Sequence, residues 1–237
     1  LIATIALNNT STFTIASDSV ITNRYNPPQS HRMKISIITA TYNSSSTVRD
    51  TIESVLQQTY TDIEYIIVDG VSKDDTLSIV ESYAPKFQGR LRWISEPDRG
   101  IYDAMNKGIA MATGDIVGIL NSDDMYKDQD VLDVIANTFL MKNVDCVYGN
   151  LELVDANNTD KIVRTWIGSQ HTPGLFLNGW HPAHPTFYVR RSHFEKLGYF
   201  DTDLAVSADF ELMLRFIERA QLSNSYIDKC LVKMRQG

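Results

Sequence analysis

The chain has 237 residues, 43% hydrophobic and 22% charged, a globular composition with length for one large α/β domain or two small ones. A net charge of −7 argues against nucleic acid as a partner, although local Lys and Arg can still hold a single phosphate group. The two cysteines, Cys146 and Cys230, lie too far apart for a Cys-x-x-Cys zinc or redox site and fit a reducing compartment, and no run of about 18 apolar residues marks a membrane span, which leaves peripheral membrane contact open.

Leu1 to Arg32 is rich in Ser, Thr and Asn, carries Pro27-Pro28 and shows no sustained period. Leu1 to Leu7 is apolar but lacks the basic flank and length of a secretory signal. The stretch 1–32 is expected to be a leader, a linker or foreign sequence, with Met33 opening the folded domain. Lys34 to Thr39 then reads as a strand, Ala40 to Ser44 as a polar loop, and Val48, Ile52, Val55 and Leu56 as one helical face. Ile63 to Val68 repeats the strand pattern and ends on Asp69-Gly70. A helix follows from Asp74-Asp75, its acids at the positive end, with Leu77, Ile79, Val80 and Tyr83 apolar. Leu91 to Ile94 gives a third strand, and Ile101, Ala104, Met105, Gly108, Ile109 and Ala112 recur at helical spacing after it. Ile116 to Leu120 is unbroken and apolar, as in a parallel strand covered on both faces, and stops on Asn121-Ser122-Asp123-Asp124. Repeated βα units of this kind predict a doubly wound, mostly parallel sheet with right-handed crossovers.

Beyond Asp124 the pattern changes. A helix is expected at Val131 to Phe139, strands at Cys146 to Tyr148 and Leu151 to Val154, and a pairing partner at Ile162 to Trp166, so the sheet should turn mixed. Gln170 to His184 is a long aromatic loop of the sort that closes over a substrate. Asp209 opens a helix whose face is Phe210, Met213, Leu214 and Ile217, with Ser207 as its cap. Met234-Arg235-Gln236-Gly237 carries no end signal, and truncation is expected there.

In open α/β sheets ligands bind beyond the carboxyl ends of the strands, which places Asn121, Asp123 and Asp124 where chemistry is done. Adjacent carboxylates repel and should share a hard cation, Mg²⁺ or Mn²⁺, with a bound diphosphate; taken alone, the turn reads as the cap of the next helix. The first loop has neither Gly-x-Gly-x-x-Gly nor Gly-Lys-Ser/Thr. Thr39, Thr41, Tyr42 and Asn43 are instead candidates to grip a base, and Asp69 to accept from a uracil or ribose donor, against an ordinary turn pair and a half-buried ring. Trp180 is a candidate for stacking on an acceptor sugar, or else a packing anchor. His181 and His184, each before a proline, read as metal ligands or as structural hydrogen-bonding groups. Asp209 either suits the helix dipole or takes a proton from an incoming hydroxyl.

Taken together, Thr39-Ala40-Thr41-Tyr42-Asn43, Val68-Asp69-Gly70, Glu96 to Gly108, Asn121-Ser122-Asp123-Asp124 and Ala208-Asp209-Phe210-Glu211 resemble the family 2 inverting glycosyltransferases of GT-A fold, of the bacterial polysaccharide-biosynthesis type, over about Met33 to Met234. The resemblance implies an α/β GT-A domain over 33–237, with a nucleotide-binding half at about 33–125 and a mixed-sheet acceptor half at about 126–237. It implies inverting transfer from a nucleotide-diphosphate sugar, a UDP-sugar first and dTDP- or GDP-sugars next, to a glycan or lipid-linked acceptor. Mn²⁺ or Mg²⁺ would assist, and the work would be cytoplasmic, near the inner membrane face.

By the same resemblance, Ala40 and Tyr42 border the base, Asp69 contacts the nucleoside, and Asp98, Asn106 and Lys107 line the nucleotide side, with Thr39 counted in the nucleotide-sugar site. Asn121, Ser122 and Asp123 meet the donor, Asp123 binds the metal with Asp124 nearby, and Asp209 is the catalytic base. His184, Trp180 and Glu211 fall on the acceptor or diphosphate side. The chain departs from the family in having Asn121 for the first acid of Asp-x-Asp. Met105 stands where many members carry arginine, and the Gly-rich segment that follows in relatives is missing. These departures keep a non-catalytic nucleotide- or glycan-binding relative as the alternative. A nucleotidyltransferase is disfavoured because Thr39 to Ser46 has no glycine and no basic residue.

Overall fold

β1 (Ile35–Thr41) and β2 (Ile63–Asp69) are buried along their whole length in the computed structural model, which describes residues 32–236; the expected leader falls outside these except for Arg32. Their mostly apolar sequence suits them because helices cover both faces, and the polar residues within them are buried and hydrogen-bonded. Side chains alternate between faces along a strand. Ile35, Ile37, Tyr65 and Ile67 pack toward α1 (Val48–Leu56), α2 (Thr76–Tyr83) and α4 (Val131–Lys142). Ile38, Ala40, Ile66 and Val68 pack toward α3 (Ile101–Met111) and α6 (Ala208–Met213).

The first half is the expected parallel sheet: β3 (Leu91–Ser95) pairs with β2, β2 with β1, and β1 with β4 (Ile116–Ile119), all parallel. The mixed part holds β5 (Met125–Tyr126), β6 (Cys146–Val154), β7 (Ile162–Trp166), β8 (Tyr188–Arg190) and β9 (Asn224–Arg235), with α5 (Ser192–Leu197) following β8. The order is β3-β2-β1-β4-β8-β6-β9-β5, with β7 paired to β6. β8 joins the halves, antiparallel to both β4 and β6. Gly118 marks that junction, since a Cβ there would lie 2.0 Å from the Tyr188 ring.

The sequence reading missed β8 and β9. The two runs read as Cys146 to Tyr148 and Leu151 to Val154 are one strand, irregular in register at Asn150, along which β9 runs parallel. This pairing carries Arg235 up to the Asn121 to Asp124 turn.

At the amino-terminal end of β2, Glu64 is buried and meets Ser36 Oγ (2.6 Å), Thr113 N (2.5 Å), Lys34 Nζ (3.3 Å) and Arg92 Nη2 (2.9 Å). Burial alone would raise its pKa; the donors, led by Ser36 and Thr113, bring it down to about 2 from 4.5. A carboxyl depressed on folding stabilises above its unfolded pKa and loses that contribution as pH falls through the folded one. Glu64→Gln should therefore cost about 3 kcal/mol at neutral pH. Urea midpoints should show the gap between variant and wild type closing as the pH falls from 4.5 toward about 2.

Candidate active site

The carboxyl ends of β1 to β4 bring several loops together. Ala40, Thr41, Tyr42, Ser44, Asp98, Gly100, Ile101, Ala104 and Ser122 line one open pocket. Tyr42 stands at its edge with 64% of its surface exposed, an aromatic face free to stack. Asp98 Oδ1 accepts from Gly100 N at 2.9 Å. Gly70 permits the approach of Asp98, because a Cβ at Gly70 would come within 2.6 Å of Asp98 Oδ2.

Two residues expected on the nucleotide are turned inward. Thr39 is buried and donates to the Leu120 carbonyl at 2.6 Å, a ladder position rather than a loop one. Asp69 is also buried and takes hydrogen bonds from Thr41 Oγ1 (3.1 Å), Ser72 N (3.0 Å), Ser95 Oγ (2.7 Å) and Ser72 Oγ. A carboxylate has about four acceptor positions, so Asp69 is saturated and shapes the loop instead of reaching a ligand. Burial would raise its pKa, but the hydrogen bonds from Ser72, Ser95 and Thr41 hold it below the ordinary value.

The turn after β4 is pinned from behind. Arg235 donates its backbone N–H to Asp124 Oδ1 (3.2 Å) and its guanidinium to the Asp123 carbonyl (3.2 Å), the Ala156 carbonyl (3.0 Å) and Asp50 Oδ2 (2.6 Å). Asp124 is fully buried and also accepts from Asn121 Nδ2 at 3.0 Å. Burial, then the charge of Asp123, raises it to about 7. The expected metal role of Asp124 is therefore corrected: its carboxylate faces Arg235 and the interior. Asp123 is left on the open side, where it lines a second pocket with Asn121, Ser122, Ser44 and Ala40. Ser122 Oγ lies 2.9 Å from Ser44 Oγ.

Asp209 faces the same region from α6. Tyr102 OH donates to its Oδ1 at 3.0 Å, and His184 Nδ1 lies 3.1 Å from its Oδ2. Ser207 precedes it at φ 66° and makes no side-chain cap, so the expected capping bond is absent. Burial lowers the His184 pKa below 6.5 although the charges of Asp209 and Asp123 raise it, which favours a neutral imidazole at pH 7. Tyr102, Asn121, His184 and Asp209 share a cavity of about 210 Å³ whose other walls are apolar.

Asn121 lines both this cavity and the Asp123 pocket, so the two pockets adjoin. Its Oδ1 is the one buried side-chain polar atom among the described residues with no hydrogen-bond partner. An unpaired buried acceptor costs about 1–3 kcal/mol, which marks a place for an arriving cation or donor. No group of three or more His, Cys, Asp or Glu among the described residues is placed to hold a metal by itself. The oxygens of Asp123 and Asn121 nevertheless fit a hard cation that draws its remaining ligands from phosphate and water.

Other expected contacts serve the scaffold. Asn106 is spent at both ends on Phe200, accepting from its N–H (3.0 Å) and donating to its carbonyl (2.9 Å). Lys107 Nζ holds the Pro97 carbonyl (2.7 Å) and Glu96 (2.9 Å), steadying the loop that carries Asp98. Glu211 pairs with Arg215 at 2.8 Å, and Arg215 in turn caps the Gly198 and Tyr199 carbonyls. Trp180 donates to Ser169 Oγ (3.0 Å) and packs edge-on against Tyr148 and Phe176, the anchor of its loop. His181 Nδ1 lies 2.9 Å from the Pro182 carbonyl. Two contributors, Tyr102 and Arg235, were missed. Tyr102 falls inside the Glu96 to Gly108 motif but off the apolar helical face, so no pattern singles it out, and nothing in sequence ties Arg235 to a turn so far away.

No helix among the described residues is long and apolar enough to cross a membrane. A family model described as "Glycosyl transferase family 2" matches residues 36–198. A "PGL/p-HBAD biosynthesis glycosyltransferase" of Mycobacterium bovis is 30% identical over 194 residues, covering 81% of this chain and 73% of its own length. An uncharacterized glycosyltransferase of Mycobacterium tuberculosis is 32% identical over 190 residues, 76% of this chain and 68% of its own. Among solved structures, S. aureus TarS 1–349 in complex with UDP-GlcNAc aligns at a TM-score of 0.70 with 22% identity, over 86% of this chain and 59% of that one. Mannosyltransferase PcManGT from Pyrobaculum calidifontis, in complex with GDP-Man and Mn²⁺, aligns at 0.64 with 20% identity, over 86% of this chain and 57% of that one. At these identities the two structures speak for the fold, which is GT-A.

Proposed function

The chain belongs to glycosyl transferase family 2, and we propose that it moves a sugar, with inversion, from a nucleotide-diphosphate sugar to a hydroxyl of a glycan or lipid-linked acceptor. The observation that carries this reading is the Asp209 carboxylate, oriented by Tyr102 and His184 and opening onto the cavity that Asn121 also lines. Asp209 accepts the proton of the acceptor hydroxyl as its oxygen bonds to the anomeric carbon. The bond from that carbon to the diphosphate breaks, and the electron pair leaves with the diphosphate. Neutral His184, beside the carboxylate, leaves it free to receive that proton.

Tyr42, Ala40, Asp98 and Ser122 border the nucleotide in this reading, and a UDP-sugar is the first donor to try, since a structural neighbour was solved with UDP-GlcNAc. Mn²⁺ or Mg²⁺ held by Asp123 and Asn121 would neutralise charge on the diphosphate. In this reading the protein works in the cytoplasm, near the inner face of the membrane.

The test is incubation with UDP-sugars, Mn²⁺ and hydroxyl acceptors. UDP should be released only when acceptor is present, and the product should carry the anomeric configuration opposite to that of the donor. A retained configuration would remove the single-displacement mechanism. Donor binding without acceptor-dependent release would favour a binding domain.

A further inference from the structure

Asp209 closes a circuit of side chains that begins on α3. Tyr102 and Asn106 stand one helical turn apart and share a face of that helix, and both grip Phe200. The Tyr102 ring stacks on the Phe200 ring, with centroids 5.6 Å apart and 24° between the planes. Asn106 accepts from the Phe200 N–H at 3.0 Å and donates to its carbonyl at 2.9 Å. The residues just before Phe200 are held from the other side. Arg215, just past the end of α6, donates to the carbonyls of Leu197, Gly198 (3.0 Å) and Tyr199 (2.7 Å), and Glu211 of α6 braces its guanidinium at 2.8 Å. Gly198 suits this approach, since its φ is +92° and a Cβ there would lie 3.2 Å from Arg215 Nη1.

The stretch 197–200 therefore ties α3, whose first turn lines the donor pocket, to α6, which carries Asp209. Tyr102 completes the circuit by donating its hydroxyl to Asp209 Oδ1 at 3.0 Å. Asp209 is partly exposed, so an unsupported tyrosine would lose that bond to water and to its own rotamer freedom. Catalytic groups must be held within about 0.5 Å and 10–20° by neighbours whose rotamers are locked. Phe200, buried and fixed through its backbone, locks Tyr102. Tyr102 and His184 occupy two of the about four acceptor positions of the carboxylate, and those two contacts set where the remaining ones point.

Resting on the glycosyl-transfer reading above, we propose that Asn106 and Arg215 are positioning residues for the reaction. They clamp the 197–200 stretch between the two helices and, through Phe200 and Tyr102, fix the direction in which Asp209 meets the acceptor proton. Neither lines the cavity at Asp209 or the donor pockets beside Tyr42 and Asp123, so their effect on transfer passes through the residues they hold.

The test labels the full chain with 3-fluorotyrosine and follows the fluorine resonance of Tyr102, assigned by its disappearance in Tyr102→Phe. Asn106→Ala should move that resonance toward the position of free 3-fluorotyrosine. Arg215→Met loosens the same stretch from the α6 side, should move it the same way, and covers the case in which the first variant does not fold. Asn106→Asp keeps an acceptor for the Phe200 N–H and should move it less. Glu64→Gln, which lowers stability from the amino-terminal end of β2, should leave it in place and so separates positioning from loss of stability. In transfer from UDP-GlcNAc to para-nitrophenyl β-glucoside, kcat of Asn106→Ala and Arg215→Met should fall by up to about 100-fold, the scale of a misplacement of about 1 Å, with KM for UDP-GlcNAc unchanged. The fluorine measurement needs no turnover. An unmoved resonance in both variants, an equal movement in Glu64→Gln, or kcat intact where the resonance moves would each overturn the proposal. The glycosyl-transfer reading fails separately: it falls if Asp209→Asn retains transfer, wherever the Tyr102 resonance lies.

Discussion

Asp209→Asn should lower sugar transfer by about 10²- to 10⁴-fold, the usual contribution of a positioned general base, with donor affinity unchanged. The substitution preserves shape and an acceptor for the Tyr102 hydroxyl, which donates to Oδ1 at 3.0 Å. What it removes is the ability to take a proton. Tyr102 offers no replacement, since burial and Asp209 itself raise its pKa and keep its hydroxyl protonated. Single-turnover rates beside calorimetric donor titration separate the two quantities. Undiminished turnover would mean that the acceptor proton leaves by another route and that Asp209 is there to orient Tyr102 and His184.

Asp123→Ala should weaken donor binding in Mn²⁺ by on the order of 100-fold, since loss of even an outer partner of a metal site costs about 10- to 100-fold. In the absence of metal it should change little. Asp123 is the acid of its turn left on the open side, because Asp124 is buried against the Arg235 backbone. With Asn121 in place of a second acid, few other protein oxygens can compensate. Donor titrations with and without Mn²⁺ should therefore diverge for wild type and coincide for the variant. Equal metal dependence in both proteins would place the cation elsewhere. Asp124→Ala offers a contrast, because its cost should fall on folding as much as on binding.

The sheet was legible where sequence and burial agree. Ile116 to Ile119 is apolar, and Ile35 to Thr41 mostly so, because both faces are covered, and that signal needs no partner to be read. β9 was not legible, since Lys229, Asp228 and Lys233 interrupt its apolar positions and its pairing with β6 is irregular in register. β8 is three residues long and follows an irregular loop. At the site, sequence located the right turns but could not say which way each side chain points. Asp123 and Asp124 are chemically identical neighbours, and a backbone donor more than a hundred residues later decides that one turns inward. Asn106 and Glu211 likewise read as close to the chemistry, but Asn106 is committed to the Phe200 backbone and Glu211 to Arg215, which holds the Gly198 and Tyr199 carbonyls.

Arg235 joins Asp50 across 185 positions of sequence while gripping the backbone beside Asp123. During synthesis the ribosome delivers β1 to β4 long before this residue, so the early parallel sheet can collapse while the corner at Asp123 and Asp124 still lacks a fastener. Only when β9 slides in alongside β6 does that corner acquire its finished form. A chain interrupted just short of Arg235 would thus look nearly native by circular dichroism yet hold donor poorly.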